Sequence, residues 1–292
     1  MAELRQIRHP GPVAPVRHAK AWAEAVALDF IIHPGETMEA GLGRGIAEAG
    51  CDSAYLVLEA ARLAPFRYVM PAGSPGPSHA AWYSETFAPD GIVTVKSAGA
   101  IVGCRDGAPF VHCHGLWQPK GREIAMGHML PADSLAAEPV RVIGIGLRGA
   151  AFHSRQDDET NFRLFAAEPF EPIDPGAPDA DDRPSGYARA LALTLRPNQD
   201  VSLAIEAICA AEGIPRARLY GIGSLNGARF DDGPAMASYA SELLIRDGRL
   251  EGGRVRLDVA VVAMDGEIFE GVLARGNNPV CVTFELVVVP QR

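Results

Sequence analysis

The chain repeats itself, and that repeat constrains its fold more than any other feature of the sequence. Residues 29–58 read D-F-I-I-H-P-G-E-T-M-E-A-G-L-G-R-G-I-A-E-A-G-C-D-S-A-Y-L-V-L, and residues 192–221 read A-L-T-L-R-P-N-Q-D-V-S-L-A-I-E-A-I-C-A-A-E-G-I-P-R-A-R-L-Y-G. An offset of 163 places Pro34 on Pro197, Ile46 on Cys209, Ala47 on Ala210, Gly50 on Gly213, Ala54 on Ala217 and Leu56 on Leu219. Each copy reads as strand, proline turn, helix, glycine stop and strand. Val201, Ile205, Ile208 and Cys209 give the second copy an apolar helical stripe that ends at Gly213. Farther along, 109–130 matches 256–273, where the offset has fallen to 146, so the first copy carries about 17 extra residues, expected near 71–90. The expected fold is α+β, two copies of a mostly antiparallel sheet, each with one main packed helix.

Between the copies, 169–186 (P-F-E-P-I-D-P-G-A-P-D-A-D-D-R-P-S-G) holds five prolines and five acidic residues without apolar periodicity. Such a segment reads as an exposed linker. The domains are therefore expected at 1–168 and 187–292.

The 292 residues carry a net charge of −9, and Arg5, Arg8, Arg17 and Lys20 are too scattered to make a basic patch. Nucleic acid is an unfavoured partner on that balance. No apolar run reaches the length of a membrane span, and M-A-E-L-R-Q-I-R-H-P-G-P lacks the core of a secretory signal, so a cytoplasmic location is expected. The five cysteines (Cys51, Cys104, Cys113, Cys209, Cys281) are scattered, odd in number and form no C-x-x-C pair. Neither a disulfide framework nor a thiolate cage is indicated.

Three of the eight histidines fall in 110–130, F-V-H-C-H-G-L-W-Q-P-K-G-R-E-I-A-M-G-H-M-L. Phe110–Trp117 and 123–130 read as two strands joined by the turn Q-P-K-G-R. His112 and His114 then share one strand face. A turn centred near Lys120 puts His128 opposite His112, so all three imidazoles converge. Three neutral imidazoles around one point suit a divalent transition metal, zinc above all, with iron, manganese or nickel as alternatives. Ordinary polar residues on a solvated strand are the competing reading. The second copy has Asp258, Ala260 and Val272 at the matching places, which predicts one metal site per chain, in the first domain.

These residues resemble the plants-and-prokaryotes-conserved (PPC) domain family. The resemblance rests on H-C-H…G-H-M-L after a Pro-Gly turn and a glycine-ended helix, and on G-I-P-R-A-R-L-Y-G-I-G-S-L-N-G-A with a terminal V-T-F-E-L-V-V-V in the second copy. It covers about 25–167 and 187–292. It implies an α+β fold on an antiparallel sheet, trimeric assembly and, as in bacterial members, a metal held by His112, His114 and His128. Plant members add an AT-hook of the R-G-R-P type, which this sequence lacks.

Other features carry less. G-I-G-L-R-G at 144–149 has the dinucleotide pattern, but the following A-A-F-H-S-R-Q-D-D-E-T-N-F lacks an amphipathic helical stripe. G-L-G-R-G at 41–45 falls inside the helix of the repeat and suggests close packing there. The extra loop, with His79, Trp82 and Tyr83, is a candidate substrate lid or a surface-packed loop. Glu123 near the turn is the candidate general base, and Arg155, with Arg141 and Arg148, a candidate carboxylate clamp. The expected function is a metal-dependent site that binds or acts on a small oxygen-rich molecule, by hydrolysis, hydration or isomerisation. A ligand sensor or DNA-associated regulator with a structural metal is the alternative, and an assembly scaffold is a third reading.

Overall fold

The computed structural model describes residues 5–170 and 188–291. The expected linker therefore lies almost entirely outside the described residues.

The first half runs β1 (His18–Ile32), α1 (Met38–Glu48), β2 (Ser53–Leu58), four two-residue strands β3 (Arg62–Leu63), β4 (Tyr68–Val69), β5 (Pro71–Ala72) and β6 (Trp82–Tyr83), then β7 (Val93–Arg105), β8 (Ala108–Pro119), β9 (Ala125–Met129) and β10 (Val140–Arg148). A hairpin of β11 (Ala150–Gln156) and β12 (Arg163–Pro169) follows. The second half runs β13 (Arg189–Leu195), α2 (Val201–Ala211), β14 (Arg216–Leu225), β15 (Ser241–Glu251), β16 (Arg254–Ala263), β17 (Ile268–Val272) and β18 (Val280–Pro290).

Strand order shows the repeat directly. The main sheet reads β17-β16-β15-β14-β18-β13-β1-β10-β2-β7-β8-β9-β4, so outward from the β1–β13 seam the two halves have the same order. The seam itself is antiparallel, with His18 opposite Leu195 and Glu24 opposite Arg189. The helices match to the cap. Thr37 accepts from the Ala40 amide and Asp200, 163 residues later, accepts from the Leu203 amide. Such side chains satisfy amides that a helix start leaves without partners. Gly50 and Gly213 close the two helices at φ 64° and 69°, a left-handed conformation that glycine adopts without a Cβ penalty.

Three apolar layers result. Met38, Leu42 and Ile46 of α1 pack on Leu28, Ile32, Leu56, Leu58 and Val142 of the first sheet. Val201, Ile205 and Ile208 of α2 pack on Leu193, Leu219, Leu257 and Phe284 of the second. Alternation sends the intervening residues to the opposite faces. Tyr55, Ile101 and Leu147 meet Ile222, Leu244, Val262 and Val287 there, with Phe152 and Phe165 of the β11–β12 hairpin. The halves thus share a core between their helix-free faces, and β7, β8 and β15 lie against it.

Residues ahead of β1 reach both halves: the Ile7 amide donates to Asn198 Oδ1 at 2.8 Å and His9 Nε2 lies 2.8 Å from the Cys281 carbonyl, while the Gly11 amide donates to the Glu159 carbonyl at 3.0 Å. The first copy is indeed longer between its second and third main strands, 59–92 against 226–240. It also carries β11–β12, which has no counterpart. Two of the dinucleotide-like glycines, Gly144 and Gly146, lie inside β10, where a Cβ on Gly144 would stand 2.3 Å from the Tyr55 carbonyl oxygen, and the third, Gly149, follows the strand at φ 86°. The first two serve strand packing and the third serves the turn into β11. Among the described residues, no helix is long and apolar enough to cross a membrane.

Candidate metal centre

β8 and β9 form the histidine hairpin, but in a different register from the expected one. His114, not His112, stands opposite His128, and the turn centres on Gly121, which has φ 70°. A shift of two residues preserves the strand face, so the three rings still converge. Ring centroids are 4.5 Å apart for His112 and His114, 4.9 Å for His112 and His128, and 5.4 Å for His114 and His128.

The second half supplies what the hairpin lacks. Glu242 of β15 reaches across the shared core, its Oε2 2.7 Å from His114 Nε2. One ring nitrogen from each histidine and one Glu242 oxygen all lie within 4.8 Å of one another. Tetrahedral ligands with bonds of about 2.1 Å stand about 3.4 Å apart, so the widest edge has to close by no more than about 1.4 Å. The expectation of a site confined to the first domain is therefore corrected: the cluster is built by both halves.

Protons decide what this cluster can hold. The Leu243 carbonyl can only accept, so His114 Nδ1, 3.0 Å away, carries the hydrogen, and Nε2 of the neutral ring presents a lone pair. That lone pair faces both His112 Nε2 at 2.9 Å and Glu242. Three electron-rich atoms meeting in a buried place require a cation or shared protons. His112 is held at its other nitrogen by Glu285 of β18, whose Oε1 also accepts from the Thr283 hydroxyl at 3.4 Å. His128 Nδ1 is buried and without a hydrogen-bond partner among the described residues. The donors and this orphaned nitrogen fit a transition-metal ion.

Burial, with His114 nearby, pushes His112 down to about 3. Burial followed by its two histidine neighbours takes His128 well below its ordinary value. Both rings are thus kept neutral, the form that binds metal. Burial also works against a proton on His114, but the charge and hydrogen bond of Glu242 outweigh it and the net shift is upward. Burial pushes the Glu285 carboxyl up to about 8, against opposing pulls from His114 and Thr283.

A cavity of about 100 Å³ opens onto the cluster. Its wall includes Trp82 and Tyr83 from the extra loop, Phe162 and Arg163 from the β11–β12 turn, Arg105 and Phe110 from the β7–β8 hairpin, and Gly223 and Ser224 of the G-I-G-S-L motif. The Tyr83 ring meets His128 edge-on at 5.3 Å, and Trp82 stacks on Phe162 at 5.4 Å.

The other expected site residues are not brought in. His79 packs behind the wall, 4.3 Å from Trp82 and 4.6 Å from Phe162 between centroids. Glu123 is exposed near the hairpin turn and does not line the cavity, because it precedes β9 and so lies on the turn side of His128. Arg155 forks onto Glu168 at 2.7 and 2.6 Å and lines a separate cavity. Arg141 forks onto Asp29, and Arg148 bonds the carbonyls that end α1. Sequence reasoning missed Glu242, Glu285 and Arg105. For the two carboxylates a signal existed, since S-E-L-L-I and T-F-E-L-V-V-V each bury one acid within an apolar strand.

Residues 183–290 match the Plants and Prokaryotes Conserved (PCC) domain. The PCC match thus lies in the second half of the chain. That match spans the whole of the second half that bears Glu242 and Glu285, and the strand order of the PCC domain is the one repeated in the first half. Solved structures similar to the chain include a metal-containing protein of Archaeoglobus fulgidus, 18% identical, covering 52% of this chain and 99% of that one with a TM-score of 0.40. Another is a plant- and prokaryote-conserved protein of Pyrococcus horikoshii, 15% identical, covering 55% and 99% with a TM-score of 0.39. No curated protein matches the sequence.

Proposed function

We propose that the chain binds one divalent metal ion through His112, His114, His128 and Glu242, and takes up a small oxygen-rich organic molecule in the adjoining cavity. One observation carries the reading: the buried His114 Nε2 lone pair faces His112 Nε2 and Glu242 with its own ring hydrogen already committed to Leu243. Three imidazoles and one carboxylate suit zinc, with iron, manganese and nickel as rivals. When bound, such an ion supplies Lewis acidity to an oxygen ligand.

The chain's own residues supply the rest. Leu243 and Glu285 fix the ring orientations of His114 and His112, as acceptors behind metal-binding histidines do. Trp82, Tyr83 and Phe162 restrict water, and Ser224 and Thr283 offer hydroxyls at the cavity wall. Glu285, at His112 Nδ1 and on the cavity wall, replaces Glu123 as the carboxylate placed to hold or accept a proton.

Elemental analysis of the purified chain tests this. One ion per chain is expected, lost in His114→Ala. The absence of a stoichiometric ion after loading with zinc, iron, manganese or nickel would overturn it.

A further inference from the structure

The cavity wall carries charges of both signs. It holds the histidines with Glu242 and Glu285, and it holds Arg105 and Arg163. These two arginines are not equivalent. Arg163 is saturated, with both terminal nitrogens on the Asp106 carboxylate at 2.9 and 2.7 Å. Arg105 has no salt bridge among the described residues, and of its three nitrogens only Nε has a hydrogen-bond partner there, the Ser154 hydroxyl at 3.0 Å.

Arg105 is also held still. Its guanidinium carbon stands 3.5 Å from the centroid of the Phe110 ring, so the plane is pinned by the aromatic face while Ser154 fixes its rotation about that face. Asp106, the nearest sequence neighbour able to neutralise it, is engaged by Arg163. A partly buried, oriented guanidinium with its terminal N–H groups unspent is complementary to a planar oxyanion.

We infer that Arg105 is the carboxylate anchor of the cavity, and that the molecule taken up is a small carboxylic acid. The inference rests on the proposed function for its premise that the cavity is the ligand site, but not on the metal's identity. Arg105 takes the role that the sequence assigned to Arg155.

Calorimetric titration of the full chain with glycolate, lactate and pyruvate, each against its uncharged amide, tests this. The acids are expected to bind at least about tenfold more tightly than the amides, the scale of a lost charge-assisted pair of hydrogen bonds. Arg105→Met is expected to remove that preference, Arg105→Lys to keep part of it, and Arg155→Met to leave it unchanged. Amides that bind as tightly as acids, no binding of any acid at millimolar concentration, or a preference that survives Arg105→Met would overturn the assignment. Should Arg105→Met fail to fold, Arg105→Lys with undiminished preference would do the same. Metal content measured on the same samples separates the two readings. A wild-type chain without metal that still prefers acids in an Arg105-dependent way refutes the metal centre and upholds the anchor.

Discussion

His114 of β8 and Glu242 of β15 face each other across the contact between the two halves, nitrogen to carboxylate oxygen at 2.7 Å. Each is buried, and the half that bears Glu242 has no imidazole of its own: residues 188–291 contain no histidine at all. The positions compared in the second half, Asp258 and Val272, do stand opposite each other in β16 and β17, but Asp258 is engaged by Arg246. The repeat has kept the strands while the two copies have divided the ligands between them.

Replacing Glu242 by Gln removes the anionic donor while keeping its shape. Metal affinity measured by chelator competition is expected to fall by at least about tenfold, with the three histidines unaltered. An unchanged affinity would mean that the hairpin alone is the site.

Glu285→Gln is the corresponding test of a positioning residue. It leaves all four candidate ligands in place and weakens only the acceptor behind His112 Nδ1. A loss of about 10–100-fold in metal affinity is expected, the usual scale for such partners. If the variant binds as tightly as the wild type, the carboxylate of Glu285 has no part in orienting the ring.

Gly41 of α1 approaches the sheet closely. A Cβ there would lie 2.4 Å from Cγ2 of the fully buried Ile32. Overpacking costs about 1–3 kcal/mol, which outweighs or cancels the gain of about 1 kcal/mol in helix propensity from Gly→Ala. Gly41→Ala should therefore fail to stabilise the chain in chemical denaturation, and Gly41→Ala with Ile32→Val should recover part of any loss. A clear stabilisation by the single change would show that the contact is slack.

Acid stability should report Asp157. Burial pushes its carboxyl up, but the Thr160 amide and hydroxyl, with Arg196, outweigh burial and hold it below the ordinary value of 3.8. A depressed carboxyl contributes stability that is complete above the unfolded value and disappears as the pH falls through the folded one. As the pH falls below about 4, the wild type should thus lose more stability than Asp157→Asn. Parallel thermal-denaturation profiles for the two proteins would contradict this.

Much of the fold was legible because the repeat carries local rules twice. Thr37 and Asp200, then Gly50 and Gly213, mark helix ends that any reading of caps and stops would find. The histidine face was legible because parity survives a register error: shifting the hairpin centre from Lys120 to Gly121 exchanged His112 for His114 as the partner of His128 without turning any ring away. What was hidden depended on the contact between sheets. Glu242 and His114 are 128 residues apart, and nothing local specifies that β15 lies over β8. The arginines show the same limit. Arg155 and Arg105 look alike in sequence, and only the partners supplied by folding, Glu168 for one and Phe110 with Ser154 for the other, distinguish a consumed charge from a spare one.

The antiparallel seam between β1 and β13 has a kinetic meaning. Because the two sheets it joins belong to one polypeptide, the meeting of their candidate ligands is an intramolecular event, governed by an effective concentration set by the chain and not by how much protein is present. Dilution cannot pull His114 and Glu242 apart, so the centre forms at the same rate and to the same extent in a scarce protein as in an abundant one.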